Sequence, residues 1–289
     1  MAASVKKLTW LITGCSSGFG LSLVRIAQAG GHTVIATSRN PSKTPELVHE
    51  VESKGGKFMR LDVDDKASGK IVDQLEESGV HIDVLINNAG YCIYAPIETI
   101  TEEEIRAQME TMYFGPLRLI RAVLPHQRQR KFGIIANFSS GAALEGQASM
   151  GAYAGAKGGL DALNKVLAKE VASFNIRVLT VLLGTFNTNM LNAYIFGKVP
   201  LPGEYKNTTA GQIMDYIRSG KIVPNGDKDE AMKAVYELIV GEGFGNGKEN
   251  EQFLPLGNDM TARMTLVQDQ LAHAKEVFGE ITNRVQVAK

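Results

Sequence analysis

Short runs of apolar residues without polar alternation recur along this chain, and each is followed by a stretch whose apolar residues return every three to four positions. The runs Leu8–Thr13, Thr33–Thr37, Phe58–Val63, Asp83–Asn87, Gly133–Phe138 and Ile176–Leu183 read as strands. The stretches Gly20–Ala29, Thr44–Ser53, Ser68–Ser78, Glu102–Arg130 and Tyr153–Phe174 read as helices. Strands this continuously apolar need cover on both faces, and a helix between successive strands brings the chain back parallel. The predicted fold is therefore α/β, a doubly wound parallel sheet. After Gly184 the pattern lapses: residues 185–225 hold Pro200, Pro202 and Pro224 among Phe186, Met190, Tyr194, Ile195, Phe196, Tyr205, Ile213 and Tyr216, with no strand pattern. A stretch of this kind after the sixth strand reads as a substrate-binding lid. A helix over Asp229–Val240, a strand over Gln252–Leu256 and a helix over Met260–Phe278 complete the chain, so residues 1–289 are expected to form one domain.

Composition narrows the functional classes. Lys plus Arg number 31 and Asp plus Glu 31, a balance that leaves no basic excess for a nucleic-acid partner. The two cysteines, Cys15 and Cys92, make no disulfide framework and read as small packed residues; the five histidines are scattered without metal-ligand spacing, so no metal is expected. The apolar run Leu8–Ile12 is too short for a secretory leader, and no run approaches the length of a membrane span. A cytoplasmic location with no membrane partner is the resulting expectation.

Between the first strand and helix stands Thr13-Gly14-Cys15-Ser16-Ser17-Gly18-Phe19-Gly20. Glycines at these places let the chain turn sharply and bring bare backbone N–H groups to a pyrophosphate at a helix N-terminus, the Rossmann-type use of such a turn. The T-G-x-x-x-G-x-G spacing resembles the classical short-chain dehydrogenases/reductases. Asp62-Val63, which in that family sits near the adenine, and Asn87-Asn88-Ala89-Gly90, the family's N-N-A-G motif, extend the resemblance. It implies a nicotinamide dinucleotide held by Gly14, Ser16, Ser17, Gly18, Phe19, Gly20, Asp62, Val63, Asn88, Ala89 and Gly90. At the tip of the second strand an NAD enzyme places a carboxylate; this chain has Ser38-Arg39, whose guanidinium suits a 2′-phosphate, so NADP (NADPH) is the expected cofactor.

Tyr153 and Lys157 stand four residues apart, on one face of a predicted helix. An ammonium about 4 Å from a phenolate contributes at most about 4 kcal/mol at an effective dielectric near 20, enough to draw a tyrosine toward neutral pH. Ser140, thirteen residues before Tyr153, occupies the place of the family's catalytic serine. The resemblance implies that Ser140 hydrogen-bonds the substrate oxygen, Tyr153 transfers the proton, and Lys157 lowers the tyrosine pKa and holds the nicotinamide ribose. Two departures stand out. The family's N-x-x-G asparagine, which helps hold a relay water, is Met112 here, and the usual Pro-Gly after the sixth strand is Leu183-Gly184. Gly184 and Thr188 are still expected beside the cofactor.

These features predict an NADP(H)-dependent oxidoreductase that exchanges hydride with a carbonyl or secondary alcohol of a hydrophobic small molecule. The competing reading is a protein that keeps the nucleotide fold for non-redox chemistry or nucleotide sensing. The resemblance further implies a homodimer or homotetramer built through Glu102–Arg130 and Tyr153–Phe174.

Overall fold

The computed structural model describes residues 7–188 and 194–285. Met190, counted above among the apolar lid residues, and the six residues that open the chain lie outside them. The strands are β1 (Thr9–Ile12), β2 (Thr33–Ser38), β3 (Lys57–Arg60), β4 (Val84–Asn87), β5 (Ile93–Tyr94), β6 (Gly133–Ser140), β7 (Ile176–Leu183), β8 (Ile195–Phe196) and β9 (Phe253–Leu256). Seven of them pair in the order β3–β2–β1–β4–β6–β7–β9, and every pair is parallel. The winding reverses between β1 and β4, which opens a crevice at the C-terminal ends of these strands.

Successive strand residues face opposite sides of the sheet. Trp10, Ile12, Val34, Ala36 and Ile86 pack into one layer, and Leu11, Ile35, Leu85 and Ile135 into the other. The first layer is covered by α1 (Gly18–Ala29) and, from late in the chain, α9 (Lys228–Val240), whose Tyr236 stacks on Trp10 at 6.0 Å. Between them in sequence come α2 (Pro45–Ser53), α3 (Lys70–Glu77), α4 (Glu102–Met109), α5 (Gly115–Arg130), α6 (Gly141–Glu145), α7 (Gly151–Val171) and α8 (Thr209–Arg218). Leu75 of α3, Leu119 and Val123 of α5, and Leu167 of α7 fill the second layer. The terminal helix α10 spans Met260–Arg284. Among the described residues no helix is long and apolar enough to cross a membrane.

The single helix expected over Glu102–Arg130 is two helices joined by a π-helical turn, Glu110–Phe114. Pro116 has no N–H to offer the carbonyl of Met112, so the ladder widens there. Gly115 meets the strand-side backbone so closely that a Cβ would lie 2.9 Å from the carbonyl oxygen of Val63. Two elements that its sequence did not suggest stand in the described part of 194–225: β8 pairs in parallel with β5, and α8 follows a short 3-10 turn. Two-residue strands carry no readable period, and so escaped prediction. The third strand stops at Arg60, which leaves Asp62 and Val63 in the turn beyond it, where Asp62 accepts a hydrogen bond from the Asp64 N–H at 3.2 Å.

Candidate active site

The glycine turn is held from below by the Asn88 segment. Thr13, buried at the end of β1, donates from Oγ1 to the Ile86 carbonyl at 3.2 Å and accepts from the N–H groups of Asn88 and Ala89 at 3.0 and 3.1 Å. Asn88 returns its side-chain amide to the carbonyls of Thr13 and Gly14 at 2.7 and 3.2 Å. Gly14 has φ +72°, and a Cβ there would sit 2.9 Å from the Ala89 Cα; on Gly20 it would lie 2.5 Å from the Gly14 carbonyl oxygen. The cradle therefore exists only with bare backbone. Ser17 precedes α1 without capping it through its side chain, so the first-turn N–H groups receive no hydroxyl partner from that residue. Cys15 is buried inside this turn, its thiol pushed up to about 12 by burial, in keeping with a packing role.

Ser38 and Arg39 end β2 at the rim of the same crevice. Ser38 is buried and its hydroxyl has no hydrogen-bond partner among the described residues, while Arg39 is exposed. The parallel register sets Ser38 opposite Arg60, whose Nε donates to the Arg39 carbonyl at 3.3 Å. A second guanidinium thus braces the Arg39 backbone, without itself lining the cleft. Sequence reasoning missed it because only strand register brings the tips of β2 and β3 together.

Ser140 ends β6 and caps α6, where its Oγ accepts from the Ala142 N–H at 3.2 Å. That bond fixes the hydroxyl, which also hydrogen-bonds Tyr153 from the first turn of α7. Lys157 lies one turn further along, 4% exposed, and its Nζ donates to the Phe138 carbonyl at 2.5 Å. Burial pushes the Tyr153 phenol above its ordinary value, reinforced by Cys92 and opposed by the Ser140 hydrogen bond. Burial also lowers Lys157 to about 8, with Asp161 opposing. The expected downward pull of Lys157 on Tyr153 is not the governing effect: both groups are desolvated, and the ammonium is engaged by a carbonyl.

Met112 is 1% exposed and its sulfur accepts from the Gln108 amide at 2.9 Å. The same amide donates to the Tyr91 carbonyl at 2.8 Å and accepts from the Ile93 N–H at 3.0 Å. A Cβ on Gly90 would collide with the Met112 methyl, so the thioether packs directly against the Asn88–Gly90 segment. Below it a buried chain of amides runs from Asn87 through Asn137 and Asn164 to Thr180, with links of 2.6, 2.5 and 3.0 Å. Gly184 faces Asp259 at the start of α10, where a Cβ would strike the carboxylate. Asp259 accepts from the Thr185 hydroxyl at 3.3 Å and from Arg263 at 3.0 Å, and Arg263 also pairs with Glu145. Nothing in the local sequence near Gly184 announces these partners.

These walls enclose a cleft of about 820 Å³. Gly14, Ser16, Ser17, Gly18 and Phe19 line one end, with Ser38, Arg39 and Val63 beside them. Asn88, Ala89, Gly90, Ser140, Tyr153, Lys157, Gly184 and Thr188 line the middle, and Tyr94, Met150, Tyr194, Ile213 and Ile217 the far end. Two residues expected at the cofactor do not line the cleft. Gly20 is set back, spacing α1 from Gly14, and Asp62 yields its place on the wall to Asp64.

Residues 9–195 match the family model for short chain dehydrogenases, and the chain belongs to this oxidoreductase family. It is 40% identical over 188 residues to a protein named oxidoreductase claN from Passalora fulva, covering 64% of this chain and 85% of that one. A short-chain dehydrogenase structure from Streptomyces avermitilis superposes with a TM-score of 0.86 at 30% identity, covering 97% of this chain and 99% of that one. A gluconate 5-dehydrogenase from Burkholderia cenocepacia, solved with NADP and tartrate, gives a TM-score of 0.70 at 25% identity over 88% and 95% of the two chains.

Proposed function

We propose that this chain is an NADP(H)-dependent carbonyl reductase or secondary-alcohol dehydrogenase for a hydrophobic small molecule. The observation that carries the reading is that Ser140, hydrogen-bonded to Tyr153, and Lys157 share one cleft with the glycine turn. The nucleotide fits the residues present: the turn tolerates no Cβ at Gly14 or Gly20, and α1 opens onto it with no side-chain cap from Ser17. Arg39, its backbone braced by Arg60, and the Ser38 hydroxyl, which has no partner among the described residues, suit a 2′-phosphate better than a bare ribose. An NADP-bound relative of the same fold supports that preference.

When bound, the nicotinamide supplies or accepts hydride at its C4. Ser140, its hydroxyl oriented by the Ala142 N–H, donates to the substrate oxygen. Tyr153, held protonated by burial, gives its phenolic proton to that oxygen as the carbonyl carbon is reduced; in the reverse direction its anion takes the proton back. Lys157, its Nζ held at the Phe138 carbonyl, is placed to bind the nicotinamide ribose and to stabilise the transient phenolate. Tyr94, Met150, Tyr194, Ile213 and Ile217 supply an apolar wall for the substrate body and exclude water from the proton transfer. The segment 185–225, whose Thr185, Phe186, Tyr194, Ile213 and Tyr216 line the cleft, acts as the lid.

Loss of nicotinamide absorbance with NADPH across a panel of aromatic and alicyclic ketones tests the reading, with Tyr153→Phe as control. Turnover that Tyr153→Phe abolishes is expected. Nucleotide binding without turnover across the panel, or turnover indifferent to the substitution, would assign the fold to nucleotide sensing or non-redox chemistry.

A further inference from the structure

Helix α10 leaves the body of the protein almost as soon as it starts. Met260 is buried and Arg263 is clamped by Glu145 and Asp259, but from Met264 onward nearly every residue is exposed or only partly covered. At 1.5 Å per residue, the segment from Met264 to Val285 extends about 33 Å. A single helix that far from a core gains little from its own hydrogen bonds in water and depends on packing of an apolar face.

Such a face is written into the helix. Met264, Val267, Leu271, Ala274, Phe278, Ile281 and Val285 follow one another at alternating steps of three and four. This narrow stripe is the period of a two-stranded seam, not the broader face of a helix lying on a core. Several of these side chains stand half exposed or more, among them Leu271 at 67%, Phe278 at 58% and Ile281 at 53%. Beside the base of the stripe, Leu144, Phe253, Met264, Val267 and Leu271 line a second, shallow apolar groove.

We propose that α10 and this groove form a self-complementary docking surface for a second copy of the chain, with the two helices antiparallel about a two-fold axis between Leu271 and Ala274. In that register Met264 meets Ile281, Val267 meets Phe278, and Leu271 meets Ala274 of the second copy, and each pairing occurs twice. Phe278 falls opposite the smaller Val267 and Leu271 opposite Ala274, and the protruding end of each helix seats in the groove of the other, as an isologous interface requires. Antiparallel packing also keeps the two bodies at opposite ends, whereas parallel packing would press both together beside Met260. It further sets helix N-termini beside C-termini, which their dipoles favour. Arg263 and Arg284 of the second copy approach at the ends of the seam, each already paired, the first with Glu145 and Asp259 and the second with Glu280.

Charge selects a protein copy over a lipid surface. From Met264 onward the helix carries Asp269, Glu276 and Glu280 against Lys275 and Arg284, and lacks the basic polar face that binds anionic headgroups. Covering the half-exposed stripe on both copies, with the stems and groove beside it, removes on the order of 1,000 Å², where specific interfaces begin. This surface is separate from α5 and α7, and through Asp259 and Arg263 it braces the cleft's own wall.

Sedimentation velocity of the full chain at micromolar concentration reads the assembly directly. Leu271→Asp with Ile281→Asp should halve its mass. Since charged residues in the stripe can also fray the helix, a Val267→Cys, Phe278→Cys double variant provides the independent measurement. Under mild oxidation it should form a covalent dimer that neither single variant forms. The two positions lie about 16 Å apart on one helix, too far to bridge within a chain, and Cys15 and Cys92 are buried. An unchanged mass together with no cross-link would overturn the proposal. So would cross-linking by Val267→Cys alone, which requires a parallel pair. Co-flotation with phosphatidylcholine/phosphatidylserine vesicles that Leu271→Asp with Ile281→Asp abolishes would assign the stripe to a membrane surface.

Discussion

Arg39→Ala alone, and then together with Ser38→Asp, should dismantle the preference for a 2′-phosphate in two measurable steps. Hydrogen bonds from a guanidinium to a charged oxygen contribute about 1.5–3 kcal/mol net. Arg39 is exposed on the cleft rim, so screening favours the lower end, and its loss should weaken NADPH binding by about 10- to 30-fold. A carboxylate at Ser38, about 6 Å from the phosphate at an effective dielectric near 40, adds about 1.4 kcal/mol of repulsion per unit of phosphate charge. Together the two changes should cost NADPH roughly a thousandfold. NADH should gain a few-fold, because the new carboxylate can accept from the ribose hydroxyls. Arg60, whose Nε holds the Arg39 carbonyl, does not line the cleft, so a further Arg60→Ala should act only through the position of Arg39 and add little to the loss. Calorimetric titration with both nucleotides at low and high salt provides the measurement. Unchanged NADPH affinity in the double variant would refute the assignment, and a parallel fall for NADH would show that the fold at buried Ser38, not phosphate recognition, had been damaged.

Three further outcomes follow from buried groups. Lys157 holds its proton less tightly folded, at about 8, than unfolded, at about 10.4; the fold is therefore penalised by on the order of 3 kcal/mol below pH 8 and recovers this as pH rises toward 10.4. Lys157→Met should stop turnover yet raise the melting temperature at pH 7, even after losing the bond to Phe138, and a lowered Tm there would contradict it. Glu76, its side chain 3% exposed, accepts from Arg130 at 2.6 and 2.9 Å, from the Ile82 N–H at 3.0 Å, and pairs with His81; although burial opposes it, these partners hold the carboxyl below its ordinary value. Glu76→Gln should cost about 3 kcal/mol by stranding Arg130, and in urea titrations the gap to wild type should close as pH falls below about 4; a gap independent of pH would count against it. Met112→Asn should raise kcat several-fold by restoring a strong hydrogen-bonding group beside Gly90, at a stability cost of about 1–2 kcal/mol for lost packing; an unchanged kcat would mean that the proton path does not pass there.

The sheet was legible because its strands are apolar on both faces and its helices keep one period, both local properties of the chain. The glycine turn was legible for the same reason: Gly14, Gly18 and Gly20 stand between a strand and a helix, where only bare backbone makes the bend. Elements too short to repeat their period, such as Ile93–Tyr94, Ile195–Phe196 and Gly141–Glu145, were not. The break at Glu110–Phe114 could have been suspected from Pro116, whose missing N–H is a sequence fact, but the width of the turn depends on the approach of Gly115 to Val63.

By itself the sequence determined that strands would be parallel, that their C-terminal ends would carry the glycine turn, Asn88 and Ser140, and that Tyr153 and Lys157 would share a helix face. The tertiary structure alone decided that Arg60 joins Arg39 across a strand register, and that the first turn of α10 returns Asp259 and Arg263 to the wall beside Gly184. It also decided that Tyr153 and Lys157 are shifted chiefly by desolvation and not by each other. The division has a physical cause: periodicity and turn chemistry act between residues close in sequence, whereas register, burial and the fields that set a pKa come from segments folded together across the whole chain.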